Sequence, residues 1–543
     1  MKILYVPLDE RPCNRLYPQY IARLQPQLEL VVPPLELLGQ KKQPADVAAL
    51  WAWLEAQINQ TVDPFQVAIL SIEMLVYGGL LPSRLHHHSE TELRDRLQRF
   101  RQLKAHNPDL SIFASNLIMR TPAYDSGEEE PDYYEHWGKL IFKWGWYQDK
   151  QQRQGLTELA TQAFNDISQT LPSDLLADYQ QRRAKNLTVN QGAIALVRDC
   201  IIDFLAIPQD DSTPYGFTAM DQHQVGQWIR SDRLQSRIHV YPGADEVGCT
   251  LLARAYSQIT ATRSKIYLFY SGVQAQTLVP LYEDRPLSAT VQAHVLATGA
   301  QVVSQPEVAD VIVAVNTPGT VMLEAWDQAT KDVTYNTHRN LRFFVDQIGQ
   351  YMAAAKQVAI ADIAFANGGE TELVELLDET QLWDGILAYA GWNTCGNTLG
   401  SVLSMAILGM NGGPMAVRAN QLQANQLQAN QLQANQLQAN QLQINQIQAN
   451  KIYHLLEGWA YQAIARTEIV HQYLPTIGAS YYNFNGKEPE ILGEIEQRLR
   501  HIWTTTMRHS FQQCALETVA VFSPWQRMFE IGIDLVINHQ SLD

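Results

Sequence analysis

Two adjacent carboxylic acids, Asp210 and Asp211, follow a short apolar run, Phe204–Pro208, after one intervening residue, Gln209. Two carboxyl groups this close cannot both ionise cheaply in a partly desolvated place, so one of them should keep its proton near neutral pH. A protonated acid beside an ionised carboxylate is what general acid–base catalysis of glycoside hydrolysis requires. We therefore predict that Asp210 and Asp211 are catalytic.

Further polar side chains follow most of the other apolar runs. In parallel α/β folds the carboxyl ends of the strands meet at one edge of the sheet, so we expect these residues to line one polar site, with Asp9, Glu73, Asp211 and Asp245 facing a shared cleft. Arginines would offset the repulsion among the carboxylates. The predicted substrate-binding residues are Asp9, Glu10, Arg11, Glu73, Tyr77, Arg84, Arg120, Asp245, Glu246, Asn316, Asp362, Asn367, Trp392, Asn393 and Asn397.

Two other polar clusters are expected to be solvated surface. The acidic loop from Glu128 to Asp132 has the composition of an exposed segment, and His86, His87 and His88 follow a turn-like Pro-Ser-Arg-Leu sequence. Neither cluster is expected to carry chemistry.

Several enzyme classes are disfavoured because their motifs are missing. The sequence has no GxxxxGK[ST], no GxGxxG after its first strand, no GxSxG and no HExxH. These absences argue against P-loop, standard dinucleotide-binding, α/β-hydrolase and zincin mechanisms. What remains is carboxylate, amide, arginine and aromatic chemistry, which is typical of carbohydrate sites and of oxygen-ligated metal sites.

The bulk properties are those of a large globular protein. The 543 residues exceed what one hydrophobic core usually serves, so two or three domains are expected. A formal charge of −16 argues against a nucleic-acid partner. Five scattered cysteines suit a reducing compartment, and neither a signal peptide nor an apolar run of about 18 residues is evident. We expect a cytoplasmic protein with no membrane association.

One unit recurs along the chain: a short apolar run rich in β-branched residues, a polar turn, and a helical pattern. This alternation predicts an α/β fold whose parallel strands are covered by helices, either barrel-like or doubly wound. The predicted strands are Ile3–Leu8, Leu28–Pro33, Val67–Ser71, Leu110–Ile118, Phe204–Pro208, Ile238–Tyr241, Ile266–Tyr270, Val311–Val315, Val358–Ile363 and Ile386–Tyr389.

The same pattern suggests four regions. An N-terminal α/β domain is predicted over 1–262, with a helical insertion at about 133–203, and a second α/β domain over 263–410. A low-complexity insertion over 411–450 precedes a mainly helical C-terminal region, 451–543. This last region is expected to end in a strand pair near Thr518–Phe522 and Ile531–Ile537.

The insertion repeats the five residues ANQLQ from Ala419 to Gln448. On a helix, its leucines advance by about 140° per repeat and so form no continuous stripe against a core. We predict a dispensable segment; a solenoid-like coil or an oligomerisation arm is the alternative.

Six motifs carry a resemblance that covers nearly the whole chain outside the repeat. They are PLDERPCN (7–14), SIEMLVYGGLLPSR (71–84), IMRTP (118–122), DFLAIPQDDSTPYG (203–216), YPGADEVG (241–248) and AYAGWNTCGNTLG (388–400). Together they resemble the uncharacterised bacterial family catalogued as domain of unknown function 4127, which has no established reaction.

A second likeness is local. DFLAIPQDDSTP is similar to the strand-end Asp-Asp of retaining N-acetylglucosaminidases, which use the substrate's acetamido group as nucleophile. This resemblance implies that Asp210 orients and polarises the acetamide and that Asp211 is the general acid/base.

The sequence is therefore consistent with three functions. The favoured one is a carbohydrate-processing hydrolase, acting without a cofactor on a glycoside or an N-acetyl amino sugar. The first alternative is a Mg²⁺- or Mn²⁺-dependent isomerase or hydrolase of a small polar metabolite. The second is a non-catalytic metabolite-binding protein. The predicted hard oxygen ligands of the metal alternative are Asp9, Glu73, Asp245, Glu246 and Asp362.

Overall fold

The short apolar runs form parallel strands, because such runs can be buried on both faces of a sheet. The computed structural model describes residues 1–59, 63–410 and 431–539, with side chains for all of these except 431–440. The chain divides into two compact units. The first comprises Met1–Glu10, Leu30–Leu251 and Tyr282–Arg285, and the second comprises Arg11–Glu29, Leu252–Leu281 and Pro286–Asp543.

The first unit is built on a six-stranded sheet with the order β2-β1-β3-β4-β5-β6. The pairs from β1 through β6 are parallel, so Ile3 lies opposite Val67 and Val67 opposite Ser111. Its strands are Lys2–Val6 (β1), Glu29–Val31 (β2), Val67–Ser71 (β3), Ser111–Ser115 (β4), Phe204–Gln209 (β5) and Ile238–Pro242 (β6).

The second unit contains a five-stranded sheet with the order β13-β11-β9-β7-β8, and all of its neighbouring strands are parallel. Its strands are Lys265–Tyr270 (β7), Gln301–Val303 (β8), Val311–Asn316 (β9), Gln357–Asp362 (β11) and Ala388–Ala390 (β13). Two further short strands, Leu323–Glu324 (β10) and Phe365–Ala366 (β12), pair in parallel.

Both sheets have the same topology. Numbered within each unit, the strand order is 2-1-3-4-5, with a sixth strand added in the first unit. This is an open, doubly wound arrangement, so of the two architectures that the sequence left open, the barrel does not occur. In such folds ligands bind beyond the carboxyl ends of the strands, where the order reverses next to strand 1.

The helices lie between the strands and after the last parallel strand. In and bordering the first unit they are Val47–Asn59, Ile72–Tyr77, Leu80–Leu85, Glu90–His106, Tyr134–Gln154, Glu158–Thr170, Ser173–Arg198, Phe217–Ser231 and Val247–Ile259. In the second unit they are Pro12–Arg15, Tyr17–Ala22, Leu287–Ala297, Thr334–Thr337, Leu341–Ala353, Thr371–Glu379, Cys395–Gly409, Gln431–Leu455, Arg466–Glu468, Leu474–Ile477 and Glu488–Thr506, with π-helical turns at Leu456–Ala465 and Ile469–Tyr473.

The C-terminal region is mainly helical, as predicted, and it ends in the expected antiparallel pair, Cys514–Phe522 (β14) with Gly532–His539 (β15). In the parts of the chain that the structure describes, no helix combines the length and the apolar character needed to cross a membrane.

The last turns of the ANQLQ repeat are packed. Residues 419–430 of the repeat lie outside the described residues, and from Gln431 the chain is one α-helix to Leu455. Leu442 is 54% exposed, whereas Ile447, which has the same place in the next repeat, is 1% exposed. A rotation of about 140° per repeat explains the contrast. These repeat positions therefore form no continuous stripe, as expected, although single residues of these turns are buried; that the segment is dispensable stays a prediction.

Candidate functional site

Asp210 and Asp211 lie at the carboxyl end of β5, every residue of which is buried. The backbone N–H of Asp211 donates to Asp210 Oδ1 at 3.1 Å. Their side chains are 13% and 26% exposed, respectively. The pair is therefore partly desolvated but still reachable from solvent.

Each aspartate has its own arginine. Arg84 Nη2 lies 2.5 Å from Asp210 Oδ2, and Arg120 Nη1 lies 3.2 Å from Asp211 Oδ2. Arg84 comes from the short helix Leu80–Leu85, and Arg120 follows β4. Segments that follow three neighbouring strands thus build the site.

The acidic loop supplies two more carboxylates to the same arginines. Glu130 Oε1 lies 3.2 Å from Arg84 Nη1 and 2.9 Å from Arg120 Nε, and Glu129 Oε2 lies 2.7 Å from Arg120 Nη2. The Glu130 side chain is fully buried. The expectation of a solvated loop is wrong for Glu129 and Glu130, because buried guanidinium groups require nearby carboxylates. We call Arg84, Arg120, Glu129, Glu130, Asp210 and Asp211 the carboxylate–arginine cluster.

Carboxyl groups outnumber guanidinium groups in this cluster, four to two. Burial raises the pKa of Asp211 to about 7; the attraction of Arg120 lowers it and the charge of Asp210 raises it. Burial also raises the pKa of Glu130, against the attraction of both arginines. Asp211 can therefore hold a proton close to neutral pH, as the sequence predicts for one member of the pair.

Tyr124 contacts the carboxylate–arginine cluster, although the sequence did not predict this residue as part of the site. Arg120 Nη2 donates to Tyr124 Oη at 3.1 Å, and 40% of this tyrosine is exposed. Burial of its hydroxyl raises the pKa of Tyr124, so the phenol stays neutral. Its position four residues after Arg120, in the loop that also carries the acidic residues, was the available signal.

Glu73 lies at the same edge, directly after β3, in the helix Ile72–Tyr77 that Ser71 caps. Its Oε1 accepts hydrogen bonds from Asn116 Nδ2 and from the backbone N–H of Leu117, both at 2.7 Å. Burial raises the pKa of Glu73 to about 7. A second carboxyl group that can be neutral near pH 7 therefore lies near the aspartate pair.

A small cavity lies between Glu73 and Asp210. Four of the predicted site residues, Glu73, Tyr77, Arg84 and Asp210, line it together. The remaining lining residues are Leu80, Ser83, Asn116, Leu117, Met119 and Asn186.

The other predicted residues of this unit follow the two distant strands β1 and β6. Four strand spacings of about 4.8 Å separate these strands, which amounts to about 19 Å. Asp9 and Glu246 are each 2% exposed and Asp245 is partly buried. Glu10 Oε1 accepts from the backbone N–H of Lys41 at 2.6 Å.

Across the described ranges, no three or more His, Cys, Asp or Glu side chains are grouped so that they could hold a metal ion. Of the five ligands predicted for the metal alternative, Asp362 belongs to the second unit and the other four belong to the first.

The structure places two basic residues, Arg11 and His86, in surroundings that the sequence did not predict. Arg11 belongs to the second unit, where its guanidinium lies 4.6 Å from the ring centroid of Trp525. His86 is buried rather than solvated: its Nε2 lies 3.2 Å from Asn186 Oδ1, and its ring packs 4.7 Å from that of Tyr77. Burial lowers the pKa of His86 to about 4, so it is neutral.

The corresponding edge of the second unit holds a buried ion pair. Arg339 contacts both carboxylate oxygens of Glu370, and both side chains are 1% exposed. Asn316, at the end of β9, donates to Asp362 Oδ1 at 2.9 Å and to Glu370 Oε2 at 2.8 Å. We call Asn316, Arg339, Asp362 and Glu370 the buried ion-pair network.

Asp362 is fully enclosed by this network. Its Oδ2 accepts from the backbone N–H of Glu370 at 2.7 Å and from the Tyr389 hydroxyl at 3.0 Å. Burial, followed by the charge of Glu370, raises the pKa of Asp362 to about 7. Asn316 is completely buried, so the structure does not present it to a sugar hydroxyl.

The remaining predicted residues of the second unit are buried or hold turns of the backbone. Trp392 is 2% exposed and packs edge-on against Tyr17 at 6.4 Å, so it offers no open face. Asn367 and Asn393 have φ of 58° and 59°, a conformation that asparagine tolerates well. Asn397 is 4% exposed, in the first turn of the helix Cys395–Gly409.

Comparison with known proteins gives one family match. A comparison with curated proteins found none that matches this chain. The model of the family described as "Protein of unknown function (DUF4127)" matches residues 3–534. Because this match covers nearly the whole chain, the chain belongs to the DUF4127 family.

Proposed function

We propose that the first unit hydrolyses a glycosidic bond, with Asp211 as general acid/base and Asp210 as its ionised partner. The observation that carries the proposal is the pairing of two adjacent aspartates at the carboxyl end of β5, each with a separate arginine. This geometry separates the roles of two carboxyl groups that are neighbours in the chain.

Asp210 is the less exposed of the two and is paired with the buried guanidinium of Arg84. That arginine supplies the positive charge that an ionised Asp210 needs. A fixed carboxylate can accept a hydrogen bond from the N–H of an acetamido group and stabilise positive charge that develops on it. An N-acetyl amino sugar is therefore the substrate class that we propose.

Asp211 is suited to moving a proton. Its side chain is the more exposed of the two, and its pKa of about 7 leaves a large protonated fraction at neutral pH. In the first step its proton goes to the leaving-group oxygen as the glycosidic bond breaks. In the second step the Asp211 carboxylate takes a proton from the attacking water, which restores the acid.

Tyr124 provides a surface on which a sugar can stack. Its ring is 40% exposed and its hydroxyl is bound to Arg120, which also contacts Asp211. A fixed aromatic ring next to an acid is a common arrangement for a pyranose, because the ring packs against apolar C–H groups while the polar groups bind hydroxyls.

The test is hydrolysis of aryl N-acetylglucosaminides and related aryl glycosides by the wild type, Asp211→Asn and Asp210→Asn. We expect each substitution to lower turnover by roughly 10²–10⁴-fold with the fold retained. Asp199→Asn, which changes a surface ion pair with Arg101, is the matched control and should keep wild-type turnover. Turnover should fall as pH rises through about 7, since the acid form of Asp211 is lost.

Absence of wild-type turnover across the panel would reject the hydrolase proposal. In that case a thermal-shift screen with metabolites would test the binding-protein alternative. Metal analysis of protein purified without chelators would test the Mg²⁺ or Mn²⁺ alternative.

A further inference from the structure

The cavity between Glu73 and Asp210 contains two unsatisfied polar atoms. Glu73 Oε2 and Tyr77 Oη both lie buried without a hydrogen-bond partner in the part of the chain that the structure describes. Glu73 is 2% exposed and Tyr77 is 2% exposed. Buried polar groups are almost always hydrogen-bonded, so these atoms indicate that something small and polar occupies the cavity.

The size of the cavity limits the occupant. The space that Glu73, Tyr77, Arg84 and Asp210 enclose has room for about one water molecule. A buried water needs two to four polar partners, and Glu73 Oε2, Tyr77 Oη and the Asp210 carboxylate can supply three.

The hydrogen bonds of Glu73 are strongly asymmetric. Oε1 accepts two, from Asn116 and from the backbone of Leu117, while Oε2 accepts none from the described residues. The Ser71 hydroxyl and the backbone N–H of Glu73 also lie near this carboxyl group and lower its pKa, against the larger effect of burial. A carboxylate would need donors on both oxygens, whereas a carboxylic acid accepts on its carbonyl oxygen and donates from its hydroxyl. The geometry therefore matches an acid whose O–H is on Oε2 and points into the cavity.

We propose that Glu73, Tyr77 and one trapped water form a proton store for Asp210. Glu73 Oε2–H donates to the water, and the water donates to the Asp210 carboxylate. In the transfer, the Glu73 proton goes to the water while a proton of the water goes to Asp210. Glu73 then becomes a carboxylate, Asp210 becomes an acid, and the water is unchanged.

The store has a purpose within the proposed function, on which this part of the inference rests. When no substrate is bound and Asp211 has lost its proton, Asp210 and Asp211 would both be negative at adjacent positions. A proton passed to Asp210 removes that repulsion, and its return to Glu73 when substrate binds leaves Asp210 ionised for the reaction. Glu73 and Tyr77 are thus positioning residues, since they act through Asp210.

The charged and titratable groups around Glu73 are few. Tyr77 lies one turn along the same helix, Arg84 comes from the next helix, and Asp210 follows β5. His86 packs against Tyr77 and is neutral because burial lowers its pKa. Arg84 is the positive charge of the cavity, and it is already bound to Asp210 and Glu130. Glu73 therefore lacks a cationic partner of its own among these groups.

The test is infrared spectroscopy of the full chain between pH 5 and 9, in which a protonated carboxylic acid gives a separate carbonyl band. Glu73→Gln should remove one such band from the spectrum at pH 6. Tyr77→Phe and Asp210→Asn should keep the band and shift its frequency, because each removes a partner of the trapped water. Glu36→Gln, at an exposed position, should leave the band unchanged.

A Glu73→Gln spectrum that loses no carboxylic-acid band relative to the wild type would overturn the proposal, and so would a Glu73 band that neither Tyr77→Phe nor Asp210→Asn shifts. With a turned-over glycoside, Glu73→Gln should lower kcat by about tenfold and leave KM within about twofold. If Glu73→Gln keeps the wild-type kcat, the proposed proton exchange between Glu73 and Asp210 is rejected. If the wild type turns over no glycoside, the proposed function fails, while the infrared bands still decide whether the proton store exists.

Discussion

The carboxyl edges of the two sheets have the same strand order but different contents. In the first unit, four carboxyl groups share two arginines, Asp211 is 26% exposed, and a neighbouring cavity contains two polar atoms that have no partner among the described residues. In the second unit, Arg339 and Glu370 are each 1% exposed, and Asn316 and Tyr389 satisfy the oxygens of Asp362.

This difference distinguishes the site that we propose for chemistry from a network that we expect to stabilise the fold. An excess of carboxylates near solvent costs folding energy, and it is retained where a group must exchange protons. A fully bonded and buried pair cannot reach a substrate, so its role is to hold the loops beyond β9 and β11. The same topology thus carries a partly exposed carboxylate–arginine cluster in one unit and a buried ion-pair network in the other.

Breaking the buried ion-pair network should give the largest change in the free energy of unfolding. Arg339→Met leaves the Glu370 carboxylate buried without its cation, and loss of one partner of a buried pair costs about 3–5 kcal/mol. The free energy of unfolding, measured by urea titration with tryptophan fluorescence, should fall by that amount. Arg94→Met is the control, because Arg94 and Glu90 form an exposed pair worth under about 0.5 kcal/mol.

A loss below about 1 kcal/mol in Arg339→Met would show that the network is not a stabilising element of the second unit. The contrast with the first unit would then disappear.

The packing of the repeat offers a second test within the second unit. Ile447→Ala should lower the free energy of unfolding by about 2–4 kcal/mol, since this side chain is 1% exposed. Leu442→Ala, at the same place in the preceding repeat, should cost under about 0.5 kcal/mol because it is 54% exposed. Equal losses in the two variants would mean that the repeat is not held on one face.

The smallest change in stability is expected at the open site. Asp211→Asn should alter the free energy of unfolding at pH 4 by no more than about 1 kcal/mol, because the amide keeps the shape of the acid form and adds no charge. The sign depends on pH. The folded pKa of Asp211 is raised to about 7, so the folded state binds more protons than the unfolded state between pH 4 and 7.

Wild-type stability should therefore decrease through this group as pH rises from 4 to 7, by at most about 4 kcal/mol. Asp211→Asn should flatten that decrease and be at least as stable as the wild type at pH 8. A variant that is destabilised at pH 8 would show that the Asp211 charge stabilises the fold. The carboxylate–arginine cluster would then resemble the buried ion-pair network.

Much of the fold could be predicted from short apolar runs. Val67–Ser71 was placed without error, and the other long parallel strands were placed within a few residues, because fully buried strands show no polar alternation. Gln301–Val303 was missed, since it has three residues and none of them is fully buried. The choice between an open sheet and a barrel could not be made, because strand order depends on contacts between distant segments.

The candidate site was predictable only in part. Position after a strand identified Asp210, Asp211, Glu73 and the arginines, yet position alone could not tell an exposed carboxylate from one sealed by partners. Glu130 was taken for surface because an acidic loop normally seeks water, and its partner Arg84 lies 46 positions away. Asp362 had the same local pattern as Asp210, but its neighbours Tyr389 and Glu370 enclose it.

The early segment Arg11–Glu29 belongs to the second unit, most of which is made later in translation. Tyr17 donates to Glu457, 440 positions further on, and Leu24 accepts from Gln443, 419 positions further on. At about 5–20 residues per second, a ribosome needs roughly 20–90 s to make that much chain. Throughout this interval, apolar side chains such as Tyr17, Ile21 and Leu24 have emerged before their final neighbours exist. The nascent protein therefore stays free of aggregation only if this segment is temporarily shielded or if aggregation is slower than synthesis of the chain.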